Sequence, residues 1–260
     1  MHSNNITISL VSHNQIHDLK RLLPSLQAAT NICDAEILLV NNTPEDDVDA
    51  YIRDCYPGIR ITDNDHRMGY GQNHNINLSL ASGRYFVVMN VDITVEHDVF
   101  SCLSDYLDKD PTVGIVSPKI LNEDGTIQGL NKRYPTIFDL FLRRFVPPFV
   151  QRHFQQRLDH YEMRDVGYDH EYDVPFLSGA FMFCRTDLMR FLHGFDIDFF
   201  LYFEDVDLCR RVQRTHRTVY YPGVSITHFW RRRAQIRWIY TYYFCRSASR
   251  YFHKWGYKLF

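Results

Sequence analysis

Over roughly the first hundred positions, short apolar runs alternate with amphipathic stretches, a rhythm that predicts a mostly parallel sheet flanked by helices. Strands are expected over 6–11, 36–40, 58–62 and 85–89, with helices between them over 15–29, 45–55 and 72–82. In the first helix Ile16, Leu19, Leu22, Leu23 and Leu26 recur at helical spacing and mark one buried face. After Asp92 the pattern continues with a helix over 96–107 and a strand over 113–117. Asn122-Glu123-Asp124-Gly125 then carries the composition of a hairpin turn.

The rhythm breaks between residues 132 and 172. Arg133, Arg143, Arg144, Arg152 and Arg157 are mixed there with Phe138, Phe141, Phe145 and Phe149 around the Pro147-Pro148 pair, which reads as an irregular insertion or lid. A strand over 174–184 follows, then a helix start at Thr186-Asp187 and a loop rich in Phe and Asp. The last third predicts a helix over 204–215, two short strands over 218–221 and 224–228, and a long aromatic-basic helix toward the C-terminus.

A chain of 260 residues, 45% hydrophobic and 23% charged, can bury a full core, so disorder is not its main theme. Lys plus Arg (29) nearly balance Asp plus Glu (31), and no global field marks a nucleic-acid binder. The C-terminal part is different: Arg210 to Lys258 holds ten Arg and two Lys with no Asp or Glu. No apolar run is long enough to span a bilayer, and the polar start is unlike a signal peptide, so a cytoplasmic location is expected. Cys33, Cys55, Cys102, Cys184, Cys209 and Cys245 form no CxxC pair and read as reduced packing residues.

Four motifs carry chemistry. Val88-Met89-Asn90-Val91-Asp92 ends a buried strand at the sheet edge where ligands bind in open α/β folds; Asp92 there suits Mg²⁺ or Mn²⁺, or simply caps a turn. Arg67-Met68-Gly69-Tyr70-Gly71 leads into a helix and could bring backbone N–H groups and a guanidinium to a diphosphate, or form only a tight turn. Glu204, Asp205 and Asp207 open a helix after five consecutive apolar or aromatic residues. The helix dipole accounts for Asp207, whereas the apolar approach favours raised proton affinity and a general base at Glu204 and Asp205. His228 ends a strand before Arg231-Arg232-Arg233, as a packing residue or as a metal or diphosphate contact.

In this order, the motifs resemble family 2 glycosyltransferases of the GT-A fold, especially the bacterial rhamnosyltransferase-like branch. The resemblance runs through Ser9-Leu10-Val11-Ser12-His13, Leu39-Val40-Asn41-Asn42, Gly69-Tyr70-Gly71 to His74-Asn75, and Asn90-Val91-Asp92. It continues through Leu177-Ser178-Gly179-Ala180-Phe181-Met182, Gly194-Phe195-Asp196 to Phe203-Glu204-Asp205-Val206-Asp207-Leu208, and His228. It implies an α/β GT-A domain over 1–233, with a Rossmann-like nucleotide-sugar half (1–95) and an acceptor-binding, catalytic half (96–233) in which 132–172 is the lid. A C-terminal helix over 234–260 would follow.

The resemblance further implies Val11, His13 and Asn41 beside the nucleobase, and Arg67, Gly69 and Asn75 near the ribose and diphosphate. Asn90, Val91 and Asp92 would stand at the DxD position, with Asp92 and His228 on Mg²⁺ or Mn²⁺. Gly179 and Glu204 would face the acceptor, and Asp205 would be the base of an inverting transfer. Asn90 stands where the pattern has its first Asp, and Asn41 where Asp is usual, so uracil and thymine both stay open. Phe229-Trp230-Arg231 also replaces a Gly/Ser-rich stretch after His228.

The expected partners are a dTDP- or UDP-linked sugar donor and a saccharide or lipid-linked oligosaccharide acceptor, with no nucleic acid. The alternative is a nucleotide-sugar-binding scaffold without turnover. The aromatic-basic C-terminal helix would either pack on the core or touch the inner membrane surface.

Overall fold

The structure is a computed structural model that describes residues 5–30, 35–42, 47–96, 98–230 and 238–260. Cys33, the expected helix start at Glu45 and the run Arg231-Arg232-Arg233 lie outside the described residues.

The first half follows the sequence rhythm: β1 (Ile6–Ser12), α1 (Ile16–Thr30), β2 (Ala35–Asn41), α2 (Val48–Cys55), β3 (Arg60–Asp63), α3 (Tyr70–Leu80) and β4 (Tyr85–Met89). A short strand that the pattern does not predict, β5 (Ile93–Val95), comes next, followed by α4 (Val99–Lys109) and β6 (Val113–Leu121). Beyond these lie α5 (Ile137–Phe145), α6 (Pro148–Gln151), α7 (Gln155–Tyr161), β7 (Tyr172–Asp173), β8 (Phe181–Arg185), α8 (Thr186–Phe191), α9 (Glu204–Val212), β9 (Arg217–His228) and α10 (Trp238–Trp255).

Among the described residues, nine strands form one mixed sheet in the order β3-β2-β1-β4-β8-β6-β9-β5, with β7 paired to β9 off this path. The strands β3, β2, β1 and β4 are mutually parallel. In the middle, β8 runs antiparallel to both β4 and β6. Tyr85, Val87 and Met89 of β4 join an apolar cluster with α1 and α4, while Phe86 and Val88 join another with α3, α8 and α9. Burial on both faces is why this strand reads as an unbroken apolar run.

Three expectations change. Within 132–172 the stretch 137–161 is largely helical rather than irregular: α5 opens with a capping box between Thr136 and Asp139, and Pro147-Pro148 starts α6. Several of the arginines here are ion-paired, among them Arg157 with Asp139 (2.7 Å) and Arg143 with Glu162 (3.0 Å). Helices this short show too few turns for periodicity to reveal. The strand expected over 174–184 is confined to β8, because the chain before it leaves the ladder to serve the site described below. The two strands expected over 218–221 and 224–228 form the single strand β9, bulged where the register against β6 shifts between Pro118 and Lys119.

The C-terminal helix packs on the core with one face. Tyr251 and Phe252 of α10 join Phe199, Phe203 and Val206 in a third apolar cluster. Ser247 donates to the Leu201 carbonyl (2.9 Å), and Lys254 pairs with Asp196 and with the fully buried Asp207 (2.7 Å each). The other face leaves Trp238 87% and Tyr242 58% exposed. No helix among the described residues is long and apolar enough to cross a membrane.

Candidate active site

The carboxyl ends of β1, β2 and β4 meet the N-terminus of α3 around a cavity of about 220 Å³. Val11, His13, Arg67, Tyr70, Asn90, Val91 and Asp92 line it, and Phe200, Leu201 and Tyr240 cover it. A crevice at the carboxyl edge of a sheet is the expected ligand position of an open α/β fold.

The loop before α3 is held from beneath. Asn42 accepts the Met68 N–H (2.9 Å) and donates to the Met68 carbonyl (3.1 Å), while Asn64 donates to both Asn42 (3.0 Å) and Asn73 (2.6 Å). Gly69 caps α3, and the Tyr70 N–H donates to the Phe200 carbonyl (2.9 Å). A Cβ on Gly69 would stand 2.7 Å from that carbonyl oxygen, so glycine is required by the close approach of two backbones. The Arg67 guanidinium lies over the rings of Phe200 (5.5 Å) and Tyr243 (6.0 Å), which ties this loop to α10.

Asn41, Gly69 and Asn75 are not among the residues that line this cavity. Asn41 donates to Asp63 (2.9 Å), and its neighbour Asn42 lines the cavity. Asn75 holds both backbone groups of Phe195, donating to its carbonyl (2.8 Å) and accepting from its N–H (2.8 Å), so its amide fixes the 194–195 turn instead of facing the cavity.

The first acidic centre is Asp92. Antiparallel pairing of Ile93 with His228 between β5 and β9 brings His228 Nε2 to 3.1 Å from Asp92 Oδ1. Gln128 donates to Asn122 (2.9 Å) and to the His228 carbonyl (3.3 Å), so its oxygen faces His228 Nδ1 at 2.6 Å and accepts from it. Nε2 must then carry either a proton or a cation against the carboxylate. Burial pushes the Asp92 carboxyl up, but the hydrogen bond and charge of His228 outweigh it, and the net proton affinity is below the ordinary carboxylate value.

A Gln that fixes the tautomer of a His beside a carboxylate suits a divalent ion. Among the described residues no cluster of three or more His, Cys, Asp or Glu side chains is present. An ion here would therefore take Asp92 and His228 from the protein and most of its oxygens from a bound diphosphate, as Mg²⁺ and Mn²⁺ commonly do.

The second acidic centre opens α9. Tyr202 and Phe203 both hold left-handed backbone (φ 70° and 68°), a strained pair that turns the chain into the helix and sets down Glu204 and Asp205. Asp205 Oδ2 accepts the Gly179 N–H (3.1 Å) and Oδ1 accepts the Val206 N–H (2.9 Å). Burial raises the proton affinity of Asp205 despite these bonds and the charge of Lys132. Burial, with the neighbouring charge of Asp205, raises that of Glu204 further; its Oε2 has no hydrogen-bond partner. Burial also pulls the Lys132 ammonium down to about 8.

Tyr70 joins the two centres. Its hydroxyl lies 2.9 Å from Asn90 Oδ1 and 2.7 Å from the Gly179 carbonyl, and burial plus the charges of Glu204, Asp205 and Asp92 raise its own proton affinity. The β4–β8 pairing explains the meeting: Met89 lies opposite Phe181, so Asn90 donates through its backbone to the Ala180 carbonyl (2.9 Å) and the chain containing Gly179 abuts the end of β4. Tyr70, Gln128, Lys132 and Asn42 belong to this arrangement without having been singled out from the sequence. Tyr70, between the two glycines of its loop, and Asn42, at the end of the second-strand motif, carried a signal.

This combination, a nucleotide-type sheet with a Gly-loop, a carboxylate–His pair and a buried carboxylate on a crossing helix, defines the GT-A class of sugar-transfer folds. The family model of Glycosyl transferase family 2 matches residues 7–188, and the chain belongs to that family. It is 25% identical over 241 residues to N-acetylglucosaminyl-diphospho-decaprenol L-rhamnosyltransferase of Mycobacterium tuberculosis, covering 86% of this chain and 75% of that one. It is 23% identical to rhamnosyltransferase WbbL of Escherichia coli, covering 86% and 83%. Its fold matches a mannosyltransferase from Pyrobaculum calidifontis, solved with GDP-Man and Mn²⁺, at TM-score 0.66 and 16% identity, over 96% of this chain and 64% of that one. Staphylococcus aureus TarS matches at TM-score 0.61 and 14% identity, over 86% and 60%. The chain is thus an α/β GT-A protein, rhamnosyltransferase-like in sequence, that spans somewhat less than two thirds of these two structural relatives.

Proposed function

We propose that this chain is an inverting, divalent-metal-dependent glycosyltransferase. It moves a sugar from dTDP-rhamnose or a UDP-hexose to a hydroxyl of a saccharide or lipid-linked oligosaccharide, in bacterial surface-polysaccharide synthesis. The observation that supports the reading is that the Tyr70 hydroxyl bonds to Asn90, two residues from Asp92, and to Gly179, whose N–H is bound to Asp205, so the Asp92–His228 pair and the Glu204–Asp205 pair lie on either side of one side chain. The two rhamnosyltransferase relatives favour the deoxyhexose, and the lipid-diphosphate sugar in the name of the first favours a lipid-linked acceptor.

In this mechanism the donor lies along Val11, His13 and the loop at Arg67–Gly69, with its diphosphate toward Asp92. The acceptor hydroxyl enters beside Asp205. As its oxygen bonds to the anomeric carbon, the bond from that carbon to the diphosphate breaks on the opposite face, and the hydroxyl proton passes to Asp205. One essential base suffices, because inversion needs no covalent glycosyl-enzyme. Asp92 and His228 would hold the divalent ion, which when bound supplies neutralisation of the charge growing on the departing diphosphate.

Residues 1–95 then serve the donor, and 96–233 the acceptor, with 132–172 over the acceptor side. The exposed Trp238, Ile239 and Tyr242 of α10, with Phe141 and Phe145 of α5 beside Arg143 and Arg144, support peripheral contact with the cytoplasmic membrane face.

The test is a donor screen read by nucleoside diphosphate release, with Mg²⁺, Mn²⁺ or EDTA, in the presence of a GlcNAc-diphospho-lipid acceptor. Metal-dependent consumption of dTDP-rhamnose with transfer to the lipid is expected. Binding of nucleotide sugars without product from any donor would overturn the reading in favour of a scaffold.

A further inference from the structure

The cavity at the carboxyl edge of the sheet has two unlike linings. Asn42, Asn73, Asn90 and Asp92 supply polar groups from the sheet edge and α3, whereas Phe200, Leu201 and Tyr240 supply an apolar and aromatic wall. Tyr240 stands in the first turn of α10, outside the stretch 7–188 that the family model matches. It is half-buried, although its neighbours Trp238 and Ile239 are exposed, so this turn of the helix directs one aromatic ring into the cavity.

The wall is held by contacts that do not involve the Tyr240 ring. The Phe200 carbonyl accepts the Tyr70 N–H (2.9 Å), and its ring packs on Tyr243 with centroids 4.7 Å apart. The Leu201 carbonyl accepts the Ser247 hydroxyl (2.9 Å), and Thr241 accepts from Arg144 (2.9 Å). Phe244 packs on Phe203 (5.4 Å), and at the far end of α10 the Trp255 indole and the Lys254 ammonium bond to the buried Asp207 (2.8 and 2.7 Å). The helix therefore places Tyr240, and Tyr240 is not needed to place the helix.

A sugar nucleotide brings three chemically distinct parts to such a cavity. Its diphosphate needs cations and N–H donors, which are at Arg67, the Gly69 loop and the Asp92 side, and its base lies along Val11 and His13 in the reading above. The pyranose ring presents C–H faces, and the surface that matches them is aromatic and aliphatic. Leu201 is also followed directly by the strained turn at Tyr202 and Phe203 that leads to Asp205, so the wall belongs to the chain segment that delivers the base. We propose that Tyr240, with Phe200 and Leu201, is a donor-binding residue whose ring covers the transferred sugar, and that α10 is thereby part of the donor site. The inference rests on the cavity being the donor site.

The experiment measures, by calorimetry on the full chain with saturating Mg²⁺, the affinities of dTDP-rhamnose and of dTDP for the wild type, Tyr240→Ala and Tyr240→Phe. Tyr240→Ala is expected to bind dTDP-rhamnose about tenfold more weakly, the scale of losing an apolar contact in a pocket, while its affinity for dTDP stays within about twofold of wild type. Tyr240→Phe, which keeps the ring, is expected to restore dTDP-rhamnose binding. Undiminished binding of dTDP-rhamnose by Tyr240→Ala, or an equal weakening of dTDP and dTDP-rhamnose, would overturn the proposal. Should the wild type prefer UDP-glucose, the same comparison is made between UDP-glucose and UDP.

Should Tyr240→Ala not fold, Tyr240→Gln fills most of the same volume without an aromatic face and is read in the same way. An independent measurement needs no folded alanine variant: nuclear Overhauser contacts from the Tyr240 ring protons of the wild type are expected to the C–H protons of the bound sugar, and contacts to the nucleoside alone are equally fatal. A wild type that binds neither dTDP-rhamnose nor UDP-glucose removes the donor site itself, and the proposal with it. A wild type that binds one of them and a Tyr240→Ala that binds it equally well remove Tyr240 alone.

Discussion

Asp92 and Asp205 lie on either side of Tyr70 and share one side-chain chemistry, yet their surroundings push them in opposite directions. Asp92 faces His228 at 3.1 Å, and that hydrogen bond and charge hold its carboxyl below the ordinary range in spite of burial. Asp205 has only backbone N–H groups at close range and an acidic neighbour in Glu204, so burial prevails and its proton affinity rises. The comparison teaches that role follows environment: a carboxylate that stays charged suits a cation and a diphosphate, and one whose proton affinity is raised suits proton transfer. Tyr70, bonded toward both sides, keeps the two environments at a fixed separation.

The sharpest way to break this comparison is Asp205→Asn, which keeps shape and removes the base. Turnover is expected to fall about a hundred- to ten-thousandfold while donor affinity by calorimetry changes little. On the Asp92 side, Gln128→Ala frees the His228 ring without touching the carboxylate. A loss of about 10- to 100-fold in Mn²⁺ affinity, measured by titrating activity and by paramagnetic binding, is expected, with no change in the pH limb.

The pH profile separates the two acids directly. Because the proton affinity of Asp205 is raised and the base must be ionised, turnover falls as pH drops through that raised value, so the acid limb should lie above the ordinary carboxylate pKa of about 4. Asp92, shifted the other way, stays charged across this limb, and donor affinity should remain flat where kcat declines. A donor affinity that falls in step with kcat would contradict the division of labour. The mildest perturbation is Tyr70→Phe, which removes the hydroxyl between Asn90 and Gly179. It should lower stability by about 1–3 kcal/mol by thermal unfolding and reduce turnover modestly, leaving the limb in place.

Much of the first hundred residues was legible because its signals are local. The run from Tyr85 to Met89 and the helical spacing of Leu19, Leu22, Leu23 and Leu26 report burial residue by residue, and the structure buries them. The polar face of α3 was not legible. Asn73, His74 and Asn77 look solvent-facing in sequence but are buried, with His74 at 2.7 Å and Asn77 at 2.9 Å from the Ser9 hydroxyl. Burial of polar groups depends on partners from another element, and composition does not show whether those partners exist. The same holds for Asn75, whose amide bonds to both backbone groups of Phe195.

The amino-acid sequence by itself determined the α/β rhythm, the family and the residue types available for chemistry, because periodicity and motif spacing are properties of neighbouring positions. Only the tertiary structure decided that β8 would enter antiparallel beside β4, that β5 would set Asp92 against His228, and that Gly179 would hold Asp205. Strand pairing joins segments separated by a hundred residues or more, and its energy resides in contacts that form only when the whole sheet closes.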